Sequence, residues 1–130
     1  MKTLSVRQPW AALIIFGGKN IENRSWATKY TGPILIHAAA SMMGVEYAGC
    51  CRFCEEHDLE SPARLDLRLG GIIGRVTVTD YTTNPQCSPW FMGPIGWILK
   101  GPVALPFAPC KGKLGLWEYA ELDNQTEGRK

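Results

Sequence analysis

Polar side chains are concentrated around a short apolar segment near the N-terminus. The stretch LSVRQPWAALIIFGGKNIENRSW, residues 4–26, carries Arg7, Gln8, Lys19, Glu22, Asn23 and Arg24. Desolvation lowers the pKa of an ammonium, whereas a neighbouring carboxylate raises it. Lys19 and Glu22 are therefore candidates for a pair that exchanges a proton near neutral pH, which general acid–base catalysis requires.

Arg24 and Trp26 follow Glu22 at intervals of two. If NIENRSW is extended, the period of two places these three side chains on one face. Arg24 can then hold the carboxylate of Glu22 bidentately or bind a phosphate, and Trp26 can stack on a base. The structural alternative is an ion-pair ladder of Lys19, Glu22 and Arg24 that only fixes the turn.

The elements around these residues have clear boundaries. Pro9 suits the first turn of a helix and the Gly17-Gly18 pair ends it. Arg7 and Gln8 lie between the strand KTLSV and this helix, where their side chains can turn into a cleft. Further strands are predicted in GPILIHAAA, GGIIGRVTVTDYT, GWILKGPVALPFAP (one or two short strands) and GLWEYAEL, and a second helix in residues 44–57.

These elements predict an α+β domain with five or six strands and two or three helices, built around a small barrel or a strongly bent sheet. The predicted domain covers residues 1–122, and residues 123–130 form a polar tail. Lys and Arg outnumber Asp and Glu by five to one in residues 1–40 and by four to one in residues 70–117. If both segments fold together they form a positive face that suits RNA or a nucleotide, although solvated lysines are an equally good explanation.

The cysteine count and the hydropathy of the chain bear on its location and on the presence of a metal. Five cysteines, an odd number with no recognisable export signal, favour a reducing compartment, so we expect a cytoplasmic protein. No apolar run is long enough to span a membrane. Cys50, Cys51, Cys54 and His57 lie on one predicted helix without the second ligand pair that structural zinc sites use, so we expect no metal and no other cofactor.

Several of these segments occur together in one known family. LSVRQPWA, GGKNIENRSW, GPILIHAA, GGIIGRVTVTD and PCKGKLGLWE appear in the order and rough spacing of the activating signal cointegrator homology (ASCH) domain, and the chain resembles this PUA-like family over about residues 3–119. The resemblance implies a small β-barrel that binds RNA or nucleotides in a cleft beside the first helix. Lys111 and Lys113 flank Gly112, which suits a loop that approaches phosphates, although solvated lysines are equally plausible. Lys113 therefore joins Arg7, Gln8, Arg24 and Trp26 as a candidate substrate-binding residue.

Some members of the family hydrolyse acetylated cytidine and others are reported as ribonucleases. The related amidohydrolases carry a threonine three residues after the motif lysine, where this chain has Glu22. A carboxylate cannot replace that hydroxyl nucleophile, although it can activate water. We therefore expect a binder of single-stranded RNA or of a modified nucleoside or nucleotide, with Lys19 and Glu22 as catalytic candidates. The alternative is a non-catalytic, coactivator-like protein-interaction module, and the sequence does not predict an oligomeric state.

Overall fold

The computed structural model describes residues 1–120, so the predicted polar tail at 123–130 lies outside the described residues. Within this part, the strands are β1 (Lys2–Val6), β2 (Ile21–Arg24), β3 (Gly32–Ala38), β4 (Gly71–Thr82), β5 (Ile95–Pro109) and β6 (Leu116–Glu118). The helices are α1 (Trp10–Phe16), α2 (Gly44–Glu56) and a 3₁₀ turn at Arg64–Asp66.

All six described strands belong to one sheet in the order β2-β5-β4-β3-β1-β6. The neighbouring pairs are antiparallel except β1 and β3, which run parallel with α1 and β2 in the connection between them. The sheet curls into a half-barrel, which confirms the predicted α+β fold with a small barrel. Both basic segments contribute strands to this sheet, whereas the acid-rich residues 41–69 form α2 and the segment after it.

Helix α1 has the boundaries that Pro9 and Gly17 predict. All residues from Ala11 to Ile15 are buried, because the helix packs against the sheet. A β-carbon added to Gly74 on β4 would lie 2.6 Å from Cδ1 of Ile15 on α1. Only glycine leaves room for the helix there, so Gly74 fixes how closely α1 approaches β4.

Strand β5 is longer than its sequence predicts. Residues 95–109 form one continuous strand of 15 residues instead of one or two short strands. Its pairing with β4 shifts register at three places, which lets the strand bend while the ladder continues. Pro102 and Pro106 lie at exposed positions of the strand, where a missing backbone N–H is tolerated.

The main apolar core fills the inside of the half-barrel. It contains side chains from β1, α1, β3, β4 and β5, among them Leu4, Ile14, Ile34, Val76 and Trp97. A second cluster lies between α1 and α2, and a third lies on the other face of β3 around Trp117. The core thereby holds the end of β1, helix α1 and β2 in fixed positions. Glu22 and Arg24 lie on β2, and Arg7 and Lys19 lie in the turns before and after α1.

Candidate nucleotide-binding site

A cavity of about 530 Å³ opens between the end of β1, helix α1 and β2. We call it the charged cavity; its lining residues are Ser5, Val6, Arg7, Trp10, Lys19, Glu22, Asn23, Arg24 and Met92. Four of the seven predicted site residues are therefore brought together. Its cations all come from residues 1–40, and Lys and Arg of residues 70–117 contribute none to the lining.

Lys19 forms the buried end of the charged cavity. The chain turns at Gly18, whose φ of 77° favours glycine, and the backbone N–H of Lys19 donates to the carbonyl oxygen of Leu13. The Lys19 side chain is 4% exposed; its Nζ donates to the carbonyl oxygen of Ile21 and lies 3.6 Å from Oε1 of Glu22. Burial lowers the pKa of Lys19, and the carboxylate of Glu22 partly opposes this effect.

Glu22 connects two cations. Its Oε1 faces Lys19, while its Oε2 accepts hydrogen bonds from Arg24 Nε at 3.1 Å and pairs with Nη2 at 3.0 Å. The side chain of Glu22 is 10% exposed, so these charges interact through a medium of low polarity. Two positive charges meet one negative charge here, which leaves an excess of one positive charge on the cavity wall.

Arg24 also closes the half-barrel. Its Nη2 donates to the carbonyl oxygen of Ser5 at 2.9 Å, although β2 and β1 are not neighbours in the sheet. One guanidinium thus contacts Glu22 on its own strand and the backbone of β1. Its planar array of donors suits both contacts at once, which the single ammonium of a lysine cannot provide.

Arg7 lines the cavity but already has an anionic partner. Its Nε donates to Oε2 of Glu46 on α2 and its Nη2 donates to Oε1, each at 2.6 Å. Oε1 of Glu46 also accepts the backbone N–H of Met43 at 2.8 Å, at the start of that helix. These hydrogen bonds, that of Arg7 first, lower the pKa of Glu46 to about 2. A ligand that binds Arg7 must therefore compete with Glu46 or share the guanidinium with it.

Asn23 is a functional candidate that sequence reasoning missed. Its Nδ2 donates to the carbonyl oxygen of Trp90 at 3.1 Å, and its Oδ1 accepts the backbone N–H groups of Met92 and Gly93 at 2.8 and 3.2 Å. These bonds place the loop before β5 along the cavity, where Met92 is 62% exposed. An amide in the middle of a strand was the available signal, since such a side chain must find partners when it is partly buried.

Gln8 lies on the other side of α1. It is 1% exposed; its Oε1 accepts the backbone N–H of Ala12 at 3.0 Å and its Nε2 donates to the carbonyl oxygen of Arg68 at 2.9 Å. Gln8 does not line the charged cavity. Its predicted contact with substrate stays a prediction, and the observed bonds tie α1 to the segment that follows α2.

Trp26 and Lys113 are also outside the lining of the charged cavity. Trp26 is 40% exposed and packs edge-to-face on Trp97 with 4.7 Å between ring centroids. Lys113 places its Nζ 6.0 Å from the centroid of the Trp117 ring. A longer ligand that leaves the cavity would be needed to reach either side chain, so their roles stay predictions.

His37 and the cysteines have protein surroundings that suit a structural role. Nδ1 of His37 lies 3.1 Å from Oγ of Ser5 and Nε2 lies 2.8 Å from the carbonyl oxygen of Cys110, so both ring nitrogens are used. Burial raises the pKa of Cys50 to about 12, which keeps its thiol protonated. In residues 1–120, no group of three or more His, Cys, Asp or Glu side chains has the arrangement of a metal site, and no helix is long and apolar enough to cross a membrane.

Comparison with known proteins identifies the family. The profile of the ASCH domain matches residues 4–96. The human protein Activating signal cointegrator 1 is 31% identical over 127 residues, which cover 88% of this chain and 22% of the human protein. Its mouse counterpart is 32% identical over 87 residues, which cover 64% of this chain and 15% of the mouse protein. This chain thus spans about a fifth of the length of the relatives it matches, and it belongs to the ASCH domain family.

Proposed function

We propose that the charged cavity binds single-stranded RNA or a modified nucleoside or nucleotide. The observation that carries this proposal is the ion-paired chain Lys19–Glu22–Arg24, in which Lys19 and Glu22 are buried and which leaves an excess of one positive charge on the cavity wall. Burying the charges of Lys19 and Glu22 costs desolvation free energy, and apolar side chains of similar volume often stabilise a fold equally well. Such a chain beside an open cavity is therefore better explained by an anionic ligand than by stability.

The remaining lining suits the other parts of a nucleotide. The volume of about 530 Å³ is within the usual range of small-molecule sites. Trp10 and Met92 offer apolar surface to a base, and the Arg24 side chain, which is 23% exposed, can meet a phosphate without leaving Glu22. Arg7, whose side chain is 47% exposed, is the second phosphate contact in this arrangement.

Hydrolysis is a second candidate, favoured by the desolvated ammonium of Lys19 beside a carboxylate. In the amidohydrolase version, Glu22 takes a proton from a water whose oxygen attacks the amide carbon. Lys19 then gives a proton to the leaving amine, so charge and protons balance. The lowered pKa of Lys19 makes this donation easier at neutral pH. Glu22 in place of threonine makes water, rather than a side-chain hydroxyl, the nucleophile.

A protein-interaction role without a ligand in the cavity is the third candidate. It is supported by the word cointegrator in the name of the human and mouse relatives. A cytoplasmic location is part of the proposal as well, because Cys50, Cys51 and Cys54 are thiols without a disulfide bond, as expected in a reducing compartment.

A binding experiment with two matched variants tests the proposed function. The protein is titrated with a labelled single-stranded RNA oligonucleotide, with cytidine and with acetylated cytidine, and both binding and product are followed. Arg24→Ala should weaken binding by about tenfold or more, because a charge-assisted hydrogen bond contributes about 1.5–3 kcal/mol. Lys100→Ala removes an exposed cation that neither lines the cavity nor belongs to the predicted site residues, and it should leave the affinity within about twofold. Equal losses in both variants, or no binding at low salt, would contradict a ligand site in the charged cavity.

A further inference from the structure

A second and larger cavity, of about 780 Å³, lies on the opposite side of α1. We call it the apolar groove; its walls are α1, the segment from Leu59 to Arg68, and parts of β4 and β5. Among residues 1–120, no residue lines both cavities. The apolar groove is therefore a separate surface feature that the proposed nucleotide site does not use.

Apolar side chains form most of the groove. Leu13, Ile73, Leu105 and Phe107 line it from the helix and the two strands. Phe16, at the end of α1, lies at the groove with 70% of its surface exposed. Keeping an aromatic ring in water forgoes the roughly 25 cal/mol per Å² that burial of apolar surface contributes. An exposed ring next to an apolar concavity is typical of a binding surface.

The rim of the groove is acidic. Glu60 and Asp66 lie among its lining residues and are exposed. Residues 55–66 as a whole contain five acidic residues and one arginine. The cation in the lining, Arg68, lies over the ring of Phe107 at 4.1 Å, at one side of the groove. The potential at the open rim therefore favours a ligand that carries positive charge, in contrast to the charged cavity.

The walls of the groove are held in place by long-range hydrogen bonds. Gln8 joins the start of α1 to the backbone of Arg68 at 2.9 Å. The hydroxyl of Tyr47 on α2 donates to the carbonyl oxygen of Pro62 at 2.8 Å. A ligand of the groove would thus meet a largely preformed surface, so little binding free energy would be spent on ordering it.

We propose that the apolar groove docks a peptide segment of another protein, one with an apolar side chain next to Lys or Arg. The apolar side chain enters beside Phe16 and Leu105, and the flanking cations pair with Glu60 and Asp66. Charge complementarity selects this occupant, because an acidic rim around an apolar floor disfavours RNA and acidic peptides. This inference does not rest on the nucleotide-binding proposal.

The test uses three synthetic peptides and the isotope-labelled full chain, followed by NMR. The peptides are acetyl-Lys-Leu-Phe-Lys-amide, acetyl-Glu-Leu-Phe-Glu-amide and acetyl-Lys-Ala-Ala-Lys-amide, each added to about 5 mM because minimal ligands bind weakly. Only the first should shift the amide signals of groove residues such as Phe16 and Leu67 in a saturable way. Comparison with the second peptide tests the acidic rim, and comparison with the third tests the apolar floor.

Variants at exposed positions complete the test without threatening the fold. Phe16→Ala and Glu60→Lys should each weaken binding of the first peptide by about threefold or more, since each removes a contact of about 0.7 kcal/mol or more. Asp80→Lys, a matched charge change outside the groove, should leave the affinity for the first peptide unchanged. Absence of saturable shifts, equal binding of the acidic peptide, or shifts confined to the charged cavity would overturn the proposal. So would a dimer in sedimentation that Phe16→Ala dissociates, because a second copy of the chain would then cover the groove.

Discussion

Arg24 joins two strands that are not neighbours, because its guanidinium donates to the carbonyl oxygen of Ser5 while it holds Glu22. Arg24→Lys should therefore lower the free energy of unfolding by about 1.5–3 kcal/mol, the range for hydrogen bonds to charged groups. The measurement is urea denaturation at neutral pH. Lys29→Arg, an exchange at an exposed position, is the control. An unchanged free energy of unfolding for Arg24→Lys would mean that the contact with Ser5 does not hold β2 to β1.

Lys19 should make the free energy of unfolding rise with pH in the range below pH 10.5. Its pKa in the folded state lies below the ordinary value of 10.5, since burial disfavours the charged form. Between these two pKa values the unfolded chain binds more protons, so stability rises with pH, by at most about 1.4 kcal/mol per pH unit for one proton. Lys19→Met should lose this rise. The difference between the two proteins is the quantity to measure, because Cys50, whose raised pKa acts in the opposite direction, is present in both. Parallel profiles would contradict a desolvated ammonium.

Glu46 should control both acid stability and the availability of Arg7. Its folded-state pKa of about 2 lies below the ordinary 4.5, so its stabilising contribution is complete above about pH 4.5 and is lost as the pH falls towards 2. Glu46→Gln should flatten that part of the acid profile. The same variant should raise the affinity for single-stranded RNA a few-fold at pH 7, since Arg7 is released. Weaker RNA binding by Glu46→Gln would show instead that Glu46 positions Arg7 for the ligand.

Asn23 should hold in place the loop that carries Met92 along the charged cavity. Asn23→Ala leaves the backbone N–H groups of Met92 and Gly93 without their observed acceptor, at a cost of about 0.5–1.5 kcal/mol in unfolding free energy for each hydrogen bond. Amide hydrogen exchange should then accelerate at residues 90–93. Asn84→Ala, which removes a local turn contact to Gln86, is the matched control and should affect only its own turn. Unaltered exchange at residues 90–93 would exclude this role for Asn23.

Variants of Lys19 and Glu22 distinguish a catalytic role of the pair from a role in ligand recognition alone. If the pair transfers protons, Lys19→Met and Glu22→Gln should each reduce turnover by about 100-fold or more while ligand affinity changes only a few-fold. If the pair only recognises the ligand, affinity should fall in both variants and the unmodified protein should show no turnover with RNA or acetylated cytidine. Steady-state kinetics and direct binding measurements on the same preparations distinguish the two results.

Much of the fold follows from local patterns. Pro9 and the Gly17-Gly18 pair delimit α1, and the apolar runs predict β3 and β4, because capping preferences and periodicity act within a few residues. The single long β5 was not predicted. Its prolines and glycine interrupt the alternation locally, while its pairing with β4 over the whole length stabilises it from outside the segment.

The candidate site was predictable only in part, for a related reason. Lys19, Glu22 and Arg24 are close in sequence, so their spacing alone indicated an interacting group. The loop that Asn23 holds is nearly 70 residues away along the chain, and the partner of Arg7 is 39 residues away. Gln8, adjacent to Arg7, turns to the opposite side of α1, since the backbone there changes from strand to helix and no simple period applies.

Helix α1, seven residues long, separates the charged cavity from the apolar groove. Trp10 faces the charged cavity, and Ala12, Leu13 and Phe16 face the apolar groove. Because a helix of two turns moves as one body, a ligand in either cavity that displaces α1 changes the shape of both the charged cavity and the apolar groove. Thermodynamic linkage then makes the effect reciprocal: the factor by which a nucleotide changes the affinity for a peptide equals the factor by which the peptide changes the affinity for the nucleotide. One coupling free energy, measured by titrating either ligand in the presence of the other, would report whether this short helix transmits signals or only separates two sites.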